Sequence, residues 1–216
     1  MNKKDLERRS YCFDIRSEKR EDGTSRLYGS PIVYNSATDI GGWFQEVIDS
    51  GALDGADLRD VPLLVNHNDS MIPVARSRRN TPNSTMRLIP TENGLDIEAT
   101  IDTERNATAS ELNSAVERGD LDGMSFAFTV DEEKWENLES DYPTRHILKF
   151  GNIAEISAVT WPAYSATSIY ARSKEALDNA KSELDSARQR AKPVDTGIEL
   201  AKAKFNFILK TGGMYK

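Results

Sequence analysis

The stretch GLDIEATID, residues 94–102, sets Leu95, Ile97, Ala99 and Ile101 against Asp96, Glu98, Thr100 and Asp102 in strict alternation. Successive strand side chains project to opposite faces, so this pattern describes a strand with one apolar and one wetted face. A sheet wetted on one side is characteristically antiparallel. Working outward, shorter runs of the same character lie at 11–16 (YCFDIR), 26–34 (RLYGSPIVY), 61–66 (VPLLVN), 85–90 (TMRLIP), 124–130 (MSFAFTV), 145–150 (RHILKF) and 154–160 (AEISAVT). Gly29 and Pro31 mark a bulge or an edge in the second of these. Turn signals such as EDG, NHND and TENG punctuate the series, and short strands so punctuated predict an antiparallel barrel or sandwich.

Helices flank this β-rich body. In TERNATASELNSAVERG (103–119), Leu112, Ala115 and Val116 share one helical face and Gly119 supplies the stop. A second short helix is expected at 43–51. Beyond residue 172 the composition changes. In KEALDNAKSELDSARQRAK, residues Leu177, Ala180, Leu184, Ala187 and Ala191 step by 3, 4, 3 and 4, a narrow seam of coiled-coil type among charges of both signs. Pro193 closes it. The expected organisation is therefore mainly β with flanking helices over 1–172, and a basic helical tail over 173–216 that stands outside the core.

Composition narrows the classes. At 216 residues with 38% hydrophobic content, the chain fits one domain with appendages. It contains no apolar run near the roughly 20 residues that span a bilayer, so a soluble protein made in the cytoplasm is expected, with no membrane partner. Cys12 is the single cysteine and no Cys/His cluster has zinc spacing, so neither disulfide, metal nor other cofactor is expected. The net charge of −7 divides into +3 over residues 1–20, −14 over the middle and +4 over 172–216. An acidic body argues against nucleic-acid binding by that body, which would need clustered Lys and Arg, and no direct nucleic-acid binding is expected; the basic tails could meet nucleic acid or an acidic partner, or remain solvated.

Serine hydrolysis requires a hydroxyl, a base within hydrogen-bond reach and a group that fixes the tautomer of that base. The base would be His67 or His146, the two histidines of the chain. In GMSFAFTV, Met124, Phe126, Phe128 and Val130 form a core face, which turns Ser125 the other way among the small residues Ala127 and Thr129. The turn GDLDG before it could present backbone N–H groups to an oxyanion. Glu155 interrupts an apolar strand, where a carboxylate needs a partner. That partner could be Lys149, an arginine or a histidine. Each residue also has an ordinary reading: a turn histidine, a strand serine, a salt-bridged glutamate. The basic ARSRR run, with Arg76, Arg78 and Arg79, could meet an acidic segment or remain solvated.

Five blocks read together resemble a known family. They are YGSPIVYNSATDIGGWFQEVIDSGAL, VPLLVNHNDSMIPVAR, ENGLDIEATI, GDLDGMSFAFTV and IAEISAVTWPAYSAT, in this order. The chain is similar here to the prohead proteases of tailed bacteriophages, capsid maturation serine peptidases related in fold to the herpesvirus maturation protease, assemblin. The resemblance implies an antiparallel β-barrel of that type. It implies His67 as general base, Ser125 as nucleophile and Glu155 as the residue orienting His67. The related assemblins use a second histidine as third member, which keeps His146 as the alternative. It also implies a serine endopeptidase inside the immature capsid, the prohead, in the host cytoplasm. There it would cut the scaffolding segment of the major capsid protein, and itself, with self-association among its contacts. A second function class is a non-catalytic capsid assembly or scaffolding protein on the same platform. An unrelated small-ester hydrolase is disfavoured, since GxSxG and α/β alternation are missing.

Overall fold

In the computed structural model, residues 6–11, 15–160 and 174–191 are described. Cys12, the WPAY part of the last family-like block and the segment after residue 191 lie outside them. The alternating stretch is strand β9 (Gly94–Asp102), with Leu95, Ile97, Ala99 and Ile101 buried. It pairs antiparallel with β8 (Met86–Thr91) and β3 (Thr24–Val33), and β3 pairs with β2 (Arg16–Lys19). These four strands form one antiparallel sheet in the order β2-β3-β9-β8. At the β9 turn Gly94 has φ 142°, and a Cβ there would lie 2.0 Å from the Ile32 carbonyl oxygen, so only glycine fits.

The second sheet has seven strands, and its spine is β11 (Thr144–Val159). Along one edge runs β10 (Gly123–Glu136), antiparallel, with β1 (Glu7–Tyr11) beyond it. The other edge is shared. Strand β5 (Phe44–Ile48) pairs parallel with residues 144–147, and β6 (Asp60–Val65) pairs parallel with residues 156–158. Strands β4 (Thr38–Ile40) and β7 (Ala75–Arg78) add to β5 and β6. One apolar cluster joins the two sheets, with Leu27, Ile32 and Ile97 meeting Phe126, Phe128, Phe150 and Ile156. Its aromatic centre stacks Phe126 on Phe128 at 4.9 Å and sets Phe150 edge-on to Phe128 at 5.1 Å. Helix α1 (Ala107–Glu117) lays Ala109, Leu112 and Val116 on this cluster. Its N-cap is Asn106, which accepts from the Ala109 N–H, and Gly119 ends it at φ 72°.

The mainly β, helix-flanked class holds, while the barrel does not. Among the described residues no strand pairing bridges the two sheets, so each keeps its own edges and neither is closed. The larger sheet is also mixed, because β5 and β6 run parallel to the spine. The helix expected at 43–51 is instead strand β5, buried at Phe44, Glu46 and Ile48. A glutamate in the middle of its apolar face hid the alternation. The runs at 145–150 and 154–160 are one continuous strand through Gly151 and Asn152. Of the strand expected at 11–16, Tyr11 ends β1 and Arg16 begins β2, while residues 12–14 lie outside the described residues.

Glu46 is tolerated because the larger sheet buries an ion network. Arg9 contacts Glu46 at 2.5 Å and Glu7 at 2.7 Å, and Arg145 contacts Glu7 at 2.6 Å, Glu46 at 3.0 Å and Glu133 at 2.7 Å. Arg145 is 1% exposed. A charge so deep persists only when paired and fully hydrogen-bonded. Over one side of this network lies helix α2 (Lys174–Ala191), whose seam residues Ala180, Leu184 and Ala187 are buried. Ala180 and Leu184 pack with Ile40 and Phe44, beside Trp43, Trp135 and Leu138. Arg190 reaches Glu133 at 2.8 Å and Arg188 donates to the Ser140 carbonyl at 2.8 Å. The 3-4 seam, read from sequence as standing outside the core, thus lies against the body.

Candidate active site

Three strand ends converge where the spine finishes. Strand β6 runs parallel to β11, so its exit at Val65 lies beside Ala158, while antiparallel β10 begins there with Gly123 opposite Val159. The residues just after β6, early in β10 and late in β11 therefore share one neighbourhood. Those are Asn66–His67, Ser125 and Glu155–Ser157. The residues expected to act together lie at this end of the sheet because of strand direction alone.

His67 is held in an uncommon backbone. Asn66 and His67 are both left-handed, at φ 51° and 58°, which for non-glycine residues costs about 1–3 kcal/mol each. Local hydrogen bonds offset that cost. The Asn66 N–H donates to the Ala158 carbonyl at 2.9 Å, and Asn66 Oδ1 accepts from the Thr160 N–H at 3.1 Å and the Thr160 hydroxyl at 2.9 Å. The His67 N–H donates to Ser157 Oγ at 3.2 Å. In this turn the imidazole meets Glu155, with Nδ1 to Oε1 at 2.5 Å, while the other carboxylate oxygen accepts from the Ser157 hydroxyl at 2.6 Å. Of the partners open to Glu155 in the sequence, the structure gives the histidine. The His67 side chain is 23% exposed and that of Glu155 is 9% exposed, so the pair sits at the edge of the interior.

Ser125 stands on β10 directly opposite Ser157, and Ala127 stands opposite Glu155. Cross-strand neighbours of this kind share a face. This face, turned away from the side of Met124, Phe126 and Phe128, is covered as well, since Ser125 and Ala127 are fully buried. The Ser125 hydroxyl donates at 2.7 Å to the backbone carbonyl of Arg9 on β1. Among the described residues it makes no hydrogen bond to His67. The structure thus joins His67 to Glu155 and sets Ser125 nearby with its proton directed elsewhere.

His146 is not brought to this group. It lies near the start of β11, with Nδ1 2.8 Å from Asp49 Oδ1 and Nε2 3.7 Å from Glu136. At about 3.3 Å per residue, positions 146 and 157 are separated by roughly 36 Å along one strand. The arginines of the ARSRR run divide. Arg76 pairs with Asp60 at 2.6 Å, whereas Arg78 and Arg79 line an open groove of about 580 Å³ with Asp57, Arg59 and Asp60. Two residues of this site carried no role in the sequence reading, Asn66 and Ser157. The period-two spacing of Glu155 and Ser157 was the available signal, because it puts both on one face of the strand. No group of His, Cys, Asp and Glu among the described residues is arranged to hold a metal ion. No described helix is long and apolar enough to cross a membrane.

Against known proteins, a family model described as caudovirus prohead serine protease matches residues 3–183. No curated protein and no solved structure matches the chain. Since the family match covers most of the sequence, the chain belongs to the caudovirus prohead serine protease family.

Proposed function

We propose that this family member is the serine endopeptidase of phage head maturation, with Ser125 as nucleophile, His67 as general base and Glu155 as the residue that orients His67. The observation carrying this reading is the 2.5 Å contact between His67 Nδ1 and Glu155, made on the strand whose Ser157 faces Ser125. A carboxylate on Nδ1 keeps the proton there, which leaves Nε2 free to accept. In the reaction His67 Nε2 takes the Ser125 proton as Oγ bonds to the scissile carbonyl carbon. The proton passes to the leaving amine as the peptide bond breaks, leaving an ester on Ser125. Water attacks the ester with His67 again as base, and the carboxylate product departs. The substrates in this reading are the scaffolding segment of the major capsid protein and the enzyme's own chain, cut inside the prohead in the host cytoplasm. Residues 173–216 form the tail of this proposal, and self-association belongs to it as well.

The test is intact-mass analysis of wild-type chain and Ser125→Ala, each co-expressed with the cognate major capsid protein. Cleavage products present with the wild type and missing with Ser125→Ala are expected. Products that persist in Ser125→Ala would overturn the assignment. A second reading, the non-catalytic assembly protein, draws on one observation: Ser125 is buried with its hydroxyl on the Arg9 carbonyl. Unprocessed capsid protein in both samples, with normal assembly, would favour it.

A further inference from the structure

The contacts around His67 close into a ring. From the His67 backbone N–H the path runs to Ser157 Oγ at 3.2 Å, from that hydroxyl to Glu155 Oε2 at 2.6 Å, and from Glu155 Oε1 to His67 Nδ1 at 2.5 Å. Its proton assignments are forced. A backbone N–H can only donate, so Ser157 Oγ accepts there, and its single proton is left for the carboxylate. Ser157 is itself fully buried, so no water competes for either bond. One hydroxyl therefore fixes both the main chain that carries His67 and the carboxylate that its ring meets. Asn66 secures the same turn from the other side through Thr160.

We infer that Ser157 is a positioning residue for the base, which fixes the tautomer and the aim of the His67 ring while touching neither substrate nor the reacting atoms. This rests on the catalytic reading of His67, Ser125 and Glu155. Ser157 also stands opposite Ser125, so the hydroxyl that fixes the base lies on the strand against which the nucleophile is registered. Removing it frees one oxygen of Glu155 and the N–H of a left-handed residue together. The ring then loses its register with Ser125, and outer partners of this kind change activity by roughly 10- to 100-fold.

Two readouts separate this inference from the reading beneath it. The first needs no turnover: nitrogen-15 shifts of the histidine rings in the full chain, with His146→Gln assigning His67. Wild type is expected to show one His67 tautomer with the proton on Nδ1, and Ser157→Ala a mixture. An unchanged tautomer in Ser157→Ala overturns the inference, whatever the cleavage assay gives. The second is cleavage of the capsid protein. Ser157→Ala is expected to lose roughly 10- to 100-fold in kcat with KM unchanged, because the aim of the base matters only in the chemical step. Ser157→Thr, which keeps the hydroxyl, is expected to restore both kcat and the single tautomer. Equal losses in the two variants with a matching fall in melting temperature would reduce Ser157 to a packing role. Cleavage that survives in Ser125→Ala would instead sink the catalytic reading.

Discussion

Replacing Arg145 by Met should unfold this protein more than any single change at the candidate site. Arg145 bonds to Glu7 at 2.6 and 2.8 Å, to Glu46 at 3.0 Å and to Glu133 at 2.8 Å, from a position that is 1% exposed. Removing one partner of a buried pair costs about 3–5 kcal/mol, because the remaining charges stay buried. Glu7 offers an independent check. Burial pushes its carboxyl up, but Arg9 and Arg145 override that and hold it at about 2 against an ordinary 4.5. At about 1.36 kcal/mol per pH unit this is roughly 3 kcal/mol of stability from Glu7, shared between two arginines. The remainder of the expected loss comes from Glu46 and Glu133. A carboxylate depressed by folding contributes fully above its unfolded value and loses that contribution as pH falls through the folded one. The wild-type contribution of Glu7 is therefore present above 4.5 and fades toward 2. In Arg145→Met the deficit should be largest at neutral pH and shrink on acidification, as protonation of Glu7 removes its share. Urea unfolding followed by circular dichroism at about pH 7.5 and about pH 3.5 would measure this, and for a chain of this size the loss corresponds to a fall of roughly 6–20 °C in Tm. A deficit below about 1 kcal/mol at neutral pH, or one independent of pH, would refute the reasoning.

Other outcomes follow from the same structure. Glu155→Gln should lower cleavage of the capsid protein by about 10⁴-fold with the fold intact, since an amide no longer holds the proton on Nδ1; a loss under tenfold would exclude the orienting role. Gly94→Ala puts a Cβ 2.0 Å from the Ile32 carbonyl oxygen at φ 142°, and should cost more than about 2 kcal/mol in chemical denaturation. Leu184→Ala should cost about 2–5 kcal/mol and release α2, read as a red shift of Trp43 and Trp135 emission and as proteolysis within 174–191; unchanged emission would show that the helix is held by its ion pairs alone. His146→Gln should leave processing within about threefold of wild type, because His146 pairs with Asp49 far from Ser125.

What the sequence disclosed depended on whether a signal was local. The alternation at 94–102 needs no partner to be read, and β9 follows it to the residue. The helix within 103–119 was equally plain, although Asn106 caps it later than the apolar pattern alone suggests. Strand β5 was misread because Glu46 occupies a core position, and what allows it there, Arg9 and Arg145, comes from distant parts of the chain. The meeting of His67 with Glu155 was legible only through the family-like blocks, since no spacing rule links a turn to a strand 88 residues on. The buried state of Ser125 was not legible at all. Its outward direction follows from period two, but its cover depends on β1, whose pairing with β10 has no sequence signature.

The buried charges also set an order of assembly. Glu7 and Arg9 leave the ribosome well before Arg145, which pairs with Glu7 from far along the β-body. Helix α2, which closes the network through Arg190 and Glu133, comes later still. Until those residues exist, β1 has no favourable place to bury its charges, and its carbonyl has no fixed position against Ser125. A nascent chain stopped short of the spine strand therefore cannot assemble the site in part. If the catalytic reading holds, the chain cannot acquire activity before its body has been made.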